Sequence, residues 1–193
     1  MNKAFVIACA LTLCFTTAKS QTFTNESFVA NLGLGAGNLM YTDSYYSMSY
    51  PALSVSAEKG IYEKVGPGYF GIGGYIGIAG SRYRSYFSGQ EYGWNTTYLS
   101  FGPRGTYHLQ MRDLTQSNDF DKFDFYGGLQ LNFTIKSATY ISTNTFGNTA
   151  EEGLFLYPAF FAGARYYFSD NMAAFCELGY NISYATIGIS FKL

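Results

Sequence analysis

Residues 124–134 read Asp-Phe-Tyr-Gly-Gly-Leu-Gln-Leu-Asn-Phe-Thr. Phe125, Leu129, Leu131 and Phe133 occupy odd positions, while Asp124, Tyr126, Gln130, Asn132 and Thr134 occupy even ones. Alternation with period two puts the first set on one side of a strand and the second on the other. A helix would scatter both sets around its axis.

The same alternation recurs seven more times. Phe28, Ala30, Leu32, Leu34 and Ala36 oppose Asn31, Gly33, Gly35 and Gly37, and Leu53, Val55 and Ala57 oppose Ser54, Ser56 and Glu58. Phe70, Ile72, Ile76 and Ile78 oppose Tyr69, Gly71, Gly73, Tyr75 and Gly77. Leu99, Phe101, Tyr107 and Leu109 oppose Ser100, Gly102, Arg104, Thr106 and His108. Leu154, Leu156, Phe160, Ala162 and Phe168 oppose Tyr157, Gly163, Arg165 and Tyr167. Ala174, Cys176 and Leu178 oppose Glu177 and Gly179, and Ile187, Ile189, Phe191 and Leu193 oppose Thr186, Gly188, Ser190 and Lys192. Eight such segments predict an all-β fold, an eight-stranded antiparallel up-and-down transmembrane β-barrel.

A soluble barrel would turn its apolar face inward around a ligand. Here the polar face carries the glycines and the charges, which suits a narrow lumen packed by side chains. The apolar face is bulky and uncharged through its centre, with Tyr107 and Tyr166 near strand ends, as an interfacial girdle requires. Composition agrees: aromatics reach 20%, charged residues only 13%, and no segment after the leader approaches the roughly 20 apolar residues of a spanning helix. A net charge of −1 gives no reason to expect a nucleic-acid partner.

The first twenty residues read as a secretory leader. Lys3 supplies the positive end, residues 4–17 the apolar stretch, and Ala18-Lys19-Ser20 the small residues of a cleavage site before Gln21. Val6-Ile7-Ala8-Cys9 resembles a lipoprotein box but leaves almost no apolar stretch ahead of it. Cys9 and Cys14 leave with the leader, so Cys176 remains alone and no internal disulfide can form. Residues 21–193 are then one barrel domain, with no room for a second.

With strand one starting in the periplasm, the expected outer loops are residues 40–50, 81–95, 137–153 and a tight 181–183. The inner turns are 60–67, 110–123 and 170–172, the second too long for the pattern. The runs Gly163-Ala164-Arg165-Tyr166-Tyr167-Phe168, Glu177-Leu178-Gly179-Tyr180 and Gly188-Ile189-Ser190-Phe191-Lys192-Leu193 resemble the OmpX/OmpA-like outer-membrane β-barrel families, the "porin family" or outer membrane protein β-barrel domain. Residues 51–60 and 66–77 are similar to the second and third strands of such proteins. The resemblance covers the whole mature chain and implies residence in the outer membrane among its lipids and lipopolysaccharide, after insertion by the barrel-assembly machinery. It departs at the last residue, Leu193, where such proteins end in an aromatic; Phe191 stands two places earlier. The motifs are structural, so they imply a fold and no particular activity.

Alternation places Glu58, Arg104, His108, Asp124, Arg165, Glu177 and Lys192 inside, in the periplasmic half. Three carboxylates then face three fixed cations, Arg104, Arg165 and Lys192, and buried charges require such partners. A three-residue turn at 170–172 predicts Arg165 opposite Glu177 as a direct ion pair. His108 is the sole histidine, which leaves no His-rich metal site and one candidate base with no nucleophile in reach at the outer rim. No cofactor is implied. The glycine runs Gly33-Leu-Gly35-Ala-Gly37 and Gly71-Ile-Gly73-Gly74 mimic phosphate loops but lack a following helix.

Tyr45 and Tyr46 in the first outer loop, and Arg82, Arg84, Tyr86 and Trp94 in the second, form the candidate binding surface for an extracellular ligand or for lipopolysaccharide phosphates. The sequence therefore predicts a non-catalytic structural or surface-binding barrel with a charge-plugged lumen. A narrow porin-like pore or hydrophobic-ligand conduit is the alternative, and a membrane-embedded enzyme the third reading.

Overall fold

The computed structural model describes residues 23–36, 46–87, 90–117, 119–142 and 150–193. Its strands are β1 (Phe28–Ala36), β2 (Tyr46–Val65), β3 (Gly68–Phe87), β4 (Gln90–Leu109), β5 (Phe123–Ser142), β6 (Ala150–Tyr167), β7 (Met172–Tyr180) and β8 (Ala185–Lys192), with a short helix α1 (Met111–Thr115) between β4 and β5. Neighbours in sequence are neighbours in space, and β1 closes on β8 to complete the ring. Every pairing is antiparallel, as in Phe101↔Phe133 of β4–β5 and Leu32↔Ile189 of β1–β8. The leader region and the proposed cleavage point lie outside the described residues.

The faces follow the alternation in the sequence. Leu32, Leu34, Leu53, Val55, Ile72, Ile76, Leu129, Leu131, Leu178, Ile187 and Ile189 are exposed on the outside, while Asn31, Glu58, Arg104, Asn132, Arg165 and Ser190 are buried within. Cys176 is also outside. The apolar set thus points away from the barrel axis, the reverse of a soluble calyx.

Strand lengths divide the ring into two parts. The nine residues of β1, at about 3.3 Å each and tilted about 40°, rise about 23 Å, close to the height of a membrane belt of about 25 Å. The twenty residues of β3 or β4 rise about 50 Å by the same measure, twice what a membrane needs. β2 to β6 therefore run far past β7, β8 and β1 at the end remote from the chain termini. This corrects the expected outer loops. Residues 81–87 and 90–95 continue an unbroken ladder, Ser81↔Thr96 to Phe87↔Gln90, and 137–142 pair with β6 as far as Thr139↔Ala150. Tyr and Ser recur there, residues that suit a pleated strand, so the backbone keeps pairing beyond the apolar belt, with β2 and β6 forming the edges where they outrun β1 and β7.

The turns at the terminal end differ similarly. Residues 60–65 are strand, and Gly66-Pro67 alone closes Val65 onto Gly68. Gly66 sits at φ +60°, a conformation that favours glycine. α1 fills the long connection after β4, and Lys64 bonds to Asp113 across it.

The β6–β7 register is the sharpest correction. Tyr167 pairs with Ala173, Arg165 with Phe175 and Gly163 with Glu177, so Arg165 is not opposite Glu177. The amides of Phe168 and Ser169 both donate to the Met172 carbonyl, at 3.2 and 3.3 Å. That fold of the connection absorbs two residues more than a three-residue turn. A shift of two leaves every side chain on its own face, so alternation cannot detect it.

Candidate functional site

In the half of the lumen nearer the termini, eight side chains close into one network. Arg165 binds Glu58 through Nη2 and Asp124 through Nη1, the latter at 2.8 Å. Arg104 meets Glu177 twice, at 2.5 and 3.3 Å, and its Nε lies 3.9 Å from Glu58. Tyr126 donates to Glu177 at 2.8 Å, and Thr106 donates to Glu58 at 2.8 Å. The expected partner of Arg165 is thus replaced: Glu177 belongs to Arg104, and Arg165 bridges two other carboxylates.

His108 completes the set. Its Nδ1 lies 2.9 Å from Asp124 Oδ1, and its Nε2 lies 3.0 Å from Thr106 Oγ1. The single hydroxyl proton of Thr106 is already given to Glu58, so Nε2 must donate, and Nδ1 must donate to the carboxylate. The doubly protonated ring supplies a third positive charge, and three carboxylates face Arg104, Arg165 and His108 in balance. Lys192 was the expected third cation. It is half-buried opposite Val29, within electrostatic reach of Asp124, and outside the cluster core.

An aromatic face covers each cation. The Arg104 guanidinium lies 4.0 Å from the Phe161 centroid and that of Arg165 lies 4.3 Å from the Tyr126 centroid. Phe23 stacks on His108 at 3.7 Å and 10°. Aromatic faces attract cations most where water is excluded. Gly163 makes the room: a Cβ there would come within 2.8 Å of Tyr126 Oη and 2.9 Å of Glu177 Cγ.

Two further layers close the lumen. Phe23 is fully buried at the terminal end, held by Gln110 donating to its carbonyl at 2.8 Å. Beyond the charges, Asn132 donates to Asn181 at 3.0 Å, and Thr134 to Ser100 at 2.9 Å. Above them Ile182, from the β7–β8 connection, packs into Ala52, Tyr75 and Ala79. That connection, expected as a tight outer loop, turns inward and is buried. The sequence reading missed Phe23 and Ile182; the one signal was an apolar residue inside each polar terminal or turn segment.

The candidate surface residues separate. Tyr45 lies outside the described residues, and Tyr46 begins β2 opposite Tyr83. Arg82, Arg84 and Tyr86 share the outer face of β3, where Arg82 donates to Asn95 at 3.0 Å. Trp94 lies on the inner face, opposite Tyr83 on one side and Tyr140 on the other. The set expected to act together is therefore on two faces of one sheet.

A closed eight-stranded ring with an apolar exterior and a salt-bridged interior defines a barrel of the transmembrane type. Its shape is similar to the N-terminal β-barrel domain of Pseudomonas aeruginosa OprF, at 13% identity over 88% of this chain and 99% of that one, with a TM-score of 0.46. It is also similar to Ail of Yersinia pestis, at 12% identity over 89% and 96% with a TM-score of 0.42, and to Neisserial surface protein A, at 14% over 86% and 95% with a TM-score of 0.42. No family model and no curated protein sequence matches the chain.

Proposed function

We propose that the chain is exported, loses residues 1–20, and serves in the outer membrane as a non-catalytic barrel that works through its extended hairpins. The observation that carries this is the lumen, blocked in succession by Phe23, the charge network, the Asn132–Asn181 layer and Ile182. A transport conduit needs a continuous opening, and four stacked layers oppose one. Asp124, His108 and Thr106 have the connectivity of a hydrolytic triad. All three are at most 3% exposed, however, and the Thr106 hydroxyl is committed to Glu58, so no substrate could approach.

In this reading β1 enters from the periplasm, the short turns and α1 lie there, and the extended parts of β2 to β6 stand outside the cell. Arg82 and Arg84 then face the lipopolysaccharide side of the sheet, where guanidinium groups pair with phosphate oxygens. Fractionation and cell-surface biotinylation test the proposal. The protein should appear in detergent-extracted outer membrane, and a lysine introduced at Ser85 should be labelled on intact cells. Recovery as a soluble periplasmic species, or labelling only after lysis, would contradict it.

A further inference from the structure

One row of outward-facing residues starts at Phe28, passes through Lys59, Ile72, Gly105 and Leu129 on successive strands, and ends at Tyr180. Phe28 is the first residue of β1 and Tyr180 the last of β7, and both strands run away from the chain termini. The row therefore climbs from the boundary of the apolar belt on the terminal side to the boundary opposite. On its way it crosses an open furrow on the exterior of β3, β4 and β5. Gly105 and Gly127 form the floor, Phe70, Ile72, Tyr107 and Leu129 form the walls, and the volume is about 780 Å³. The Tyr107 hydroxyl donates to the Val65 carbonyl at 2.8 Å, which fixes that wall.

Two observations point to an occupant, and the first is the floor. Glycine on the inner face is required by crowding: a Cβ at Gly71 would come within 2.5 Å of Thr106 Oγ1. A Cβ at Gly105 would meet nothing within 4 Å, and one at Gly127 only the Phe161 carbonyl, at 3.6 Å. Barrel packing does not require these two outward glycines, and glycine weakens a strand. What their lack of side chains leaves is room for an apolar chain against the wall. The second observation is charge. Lys59 stands exposed in the same row, opposite Ile72, at the terminal-side boundary of the belt. It has no ion pair among the described residues, whereas Lys64, further along β2, is held by Asp113. An unneutralised ammonium beside an apolar furrow at a membrane boundary matches the phosphate at the head of an acyl chain.

We propose that this furrow holds one anionic glycerophospholipid of the periplasmic leaflet, its phosphate on Lys59 and an acyl chain lying over Gly105 and Gly127. The inference rests on the reading of the chain as an outer-membrane barrel with its termini on the periplasmic side. A zwitterionic headgroup brings its own ammonium to the phosphate, so a lone lysine selects the lipid of net negative charge.

The test is native mass spectrometry of folded protein released from micelles of an uncharged polyoxyethylene detergent. The micelles carry equal amounts of phosphatidylglycerol and phosphatidylethanolamine with the same acyl chains. Wild type should keep a single lipid, with phosphatidylglycerol at least fivefold over phosphatidylethanolamine. Lys59→Gln should bring that ratio within twofold of parity, while Lys64→Gln should leave it unchanged. Gly105→Leu places its Cβ in open space, so it should fold as wild type by heat-modifiable gel mobility and retain at least tenfold less of either lipid. No lipid or equal amounts of both on wild type, an unchanged ratio in Lys59→Gln, a lost preference in Lys64→Gln, full retention in Gly105→Leu, or a dimer in place of the lipid adduct would overturn the proposal. A soluble location would refute the barrel reading whatever these spectra gave, so the two failures are distinct.

Discussion

Replacing Arg104 by Met strips Glu177 of its only arginine and leaves that carboxylate with the Tyr126 hydroxyl alone among its described partners. Replacing Glu177 by Gln instead leaves the guanidinium between the Phe161 ring and Glu58, whose nearest oxygen is 3.9 Å away. Breaking a buried pair from one side costs about 3–5 kcal/mol, because a desolvated charge is left uncompensated. At about 2 kcal/mol per molar urea, each single variant should unfold at a midpoint lower by about 1.5–2.5 M. The double variant removes both charges, keeps an acceptor for Tyr126, and fills the space beside Phe161 with a flexible thioether. It should cost no more than either single variant, giving a coupling of at least about 3 kcal/mol. Urea titration in micelles, followed by far-UV circular dichroism, measures this. Additive costs, or singles that shift the midpoint by less than about 0.5 M, would refute the reasoning. A stronger coupling between Arg165 and Glu177 than between Arg104 and Glu177 would restore the register that alternation suggested.

Other perturbations probe separate layers. Ile76→Lys and Leu131→Lys put a charge on the apolar exterior, with an expected cost of about 2–4 kcal/mol at the bilayer midplane; refolding yield into vesicles should fall for both, and normal folding would invert the assigned faces. Phe23→Ala removes the fully buried ring stacked on His108, which should cost about 3–5 kcal/mol by urea titration; an unchanged midpoint would mean that the terminal segment does not seal the barrel. Gly163→Ala drives a Cβ against Tyr126 and Glu177, so a loss of about 1–3 kcal/mol is expected, and a neutral result would show that the network has slack there.

Facing was legible because period two is a local property: any strand of this sequence in any register keeps Leu131 and Asn132 on opposite sides. Partner choice was not, because it depends on how a connection folds. The carbonyl of Met172 takes two amides, and the resulting shift of two residues exchanges the partners of Arg165 and Glu177 while preserving their face. Strand ends were hidden for a different reason. Beyond the belt no apolar residue is needed outside, so segments such as Arg82-Tyr83-Arg84-Ser85-Tyr86 look like loop although their ladder continues. The third cation of the network depends on where the Thr106 proton goes, which only the geometry reveals. Phe23 is a lone apolar residue in the polar segment Gln21-Thr22-Phe23-Thr24-Asn25, too short a signal to reveal a docked terminus.

The claim that the lumen is sealed is tested most directly by conductance across a planar bilayer containing the wild-type protein. Four stacked layers predict no steady current above the bare membrane at moderate voltage, in low or high salt. A steady, large conductance from properly folded protein would contradict the account.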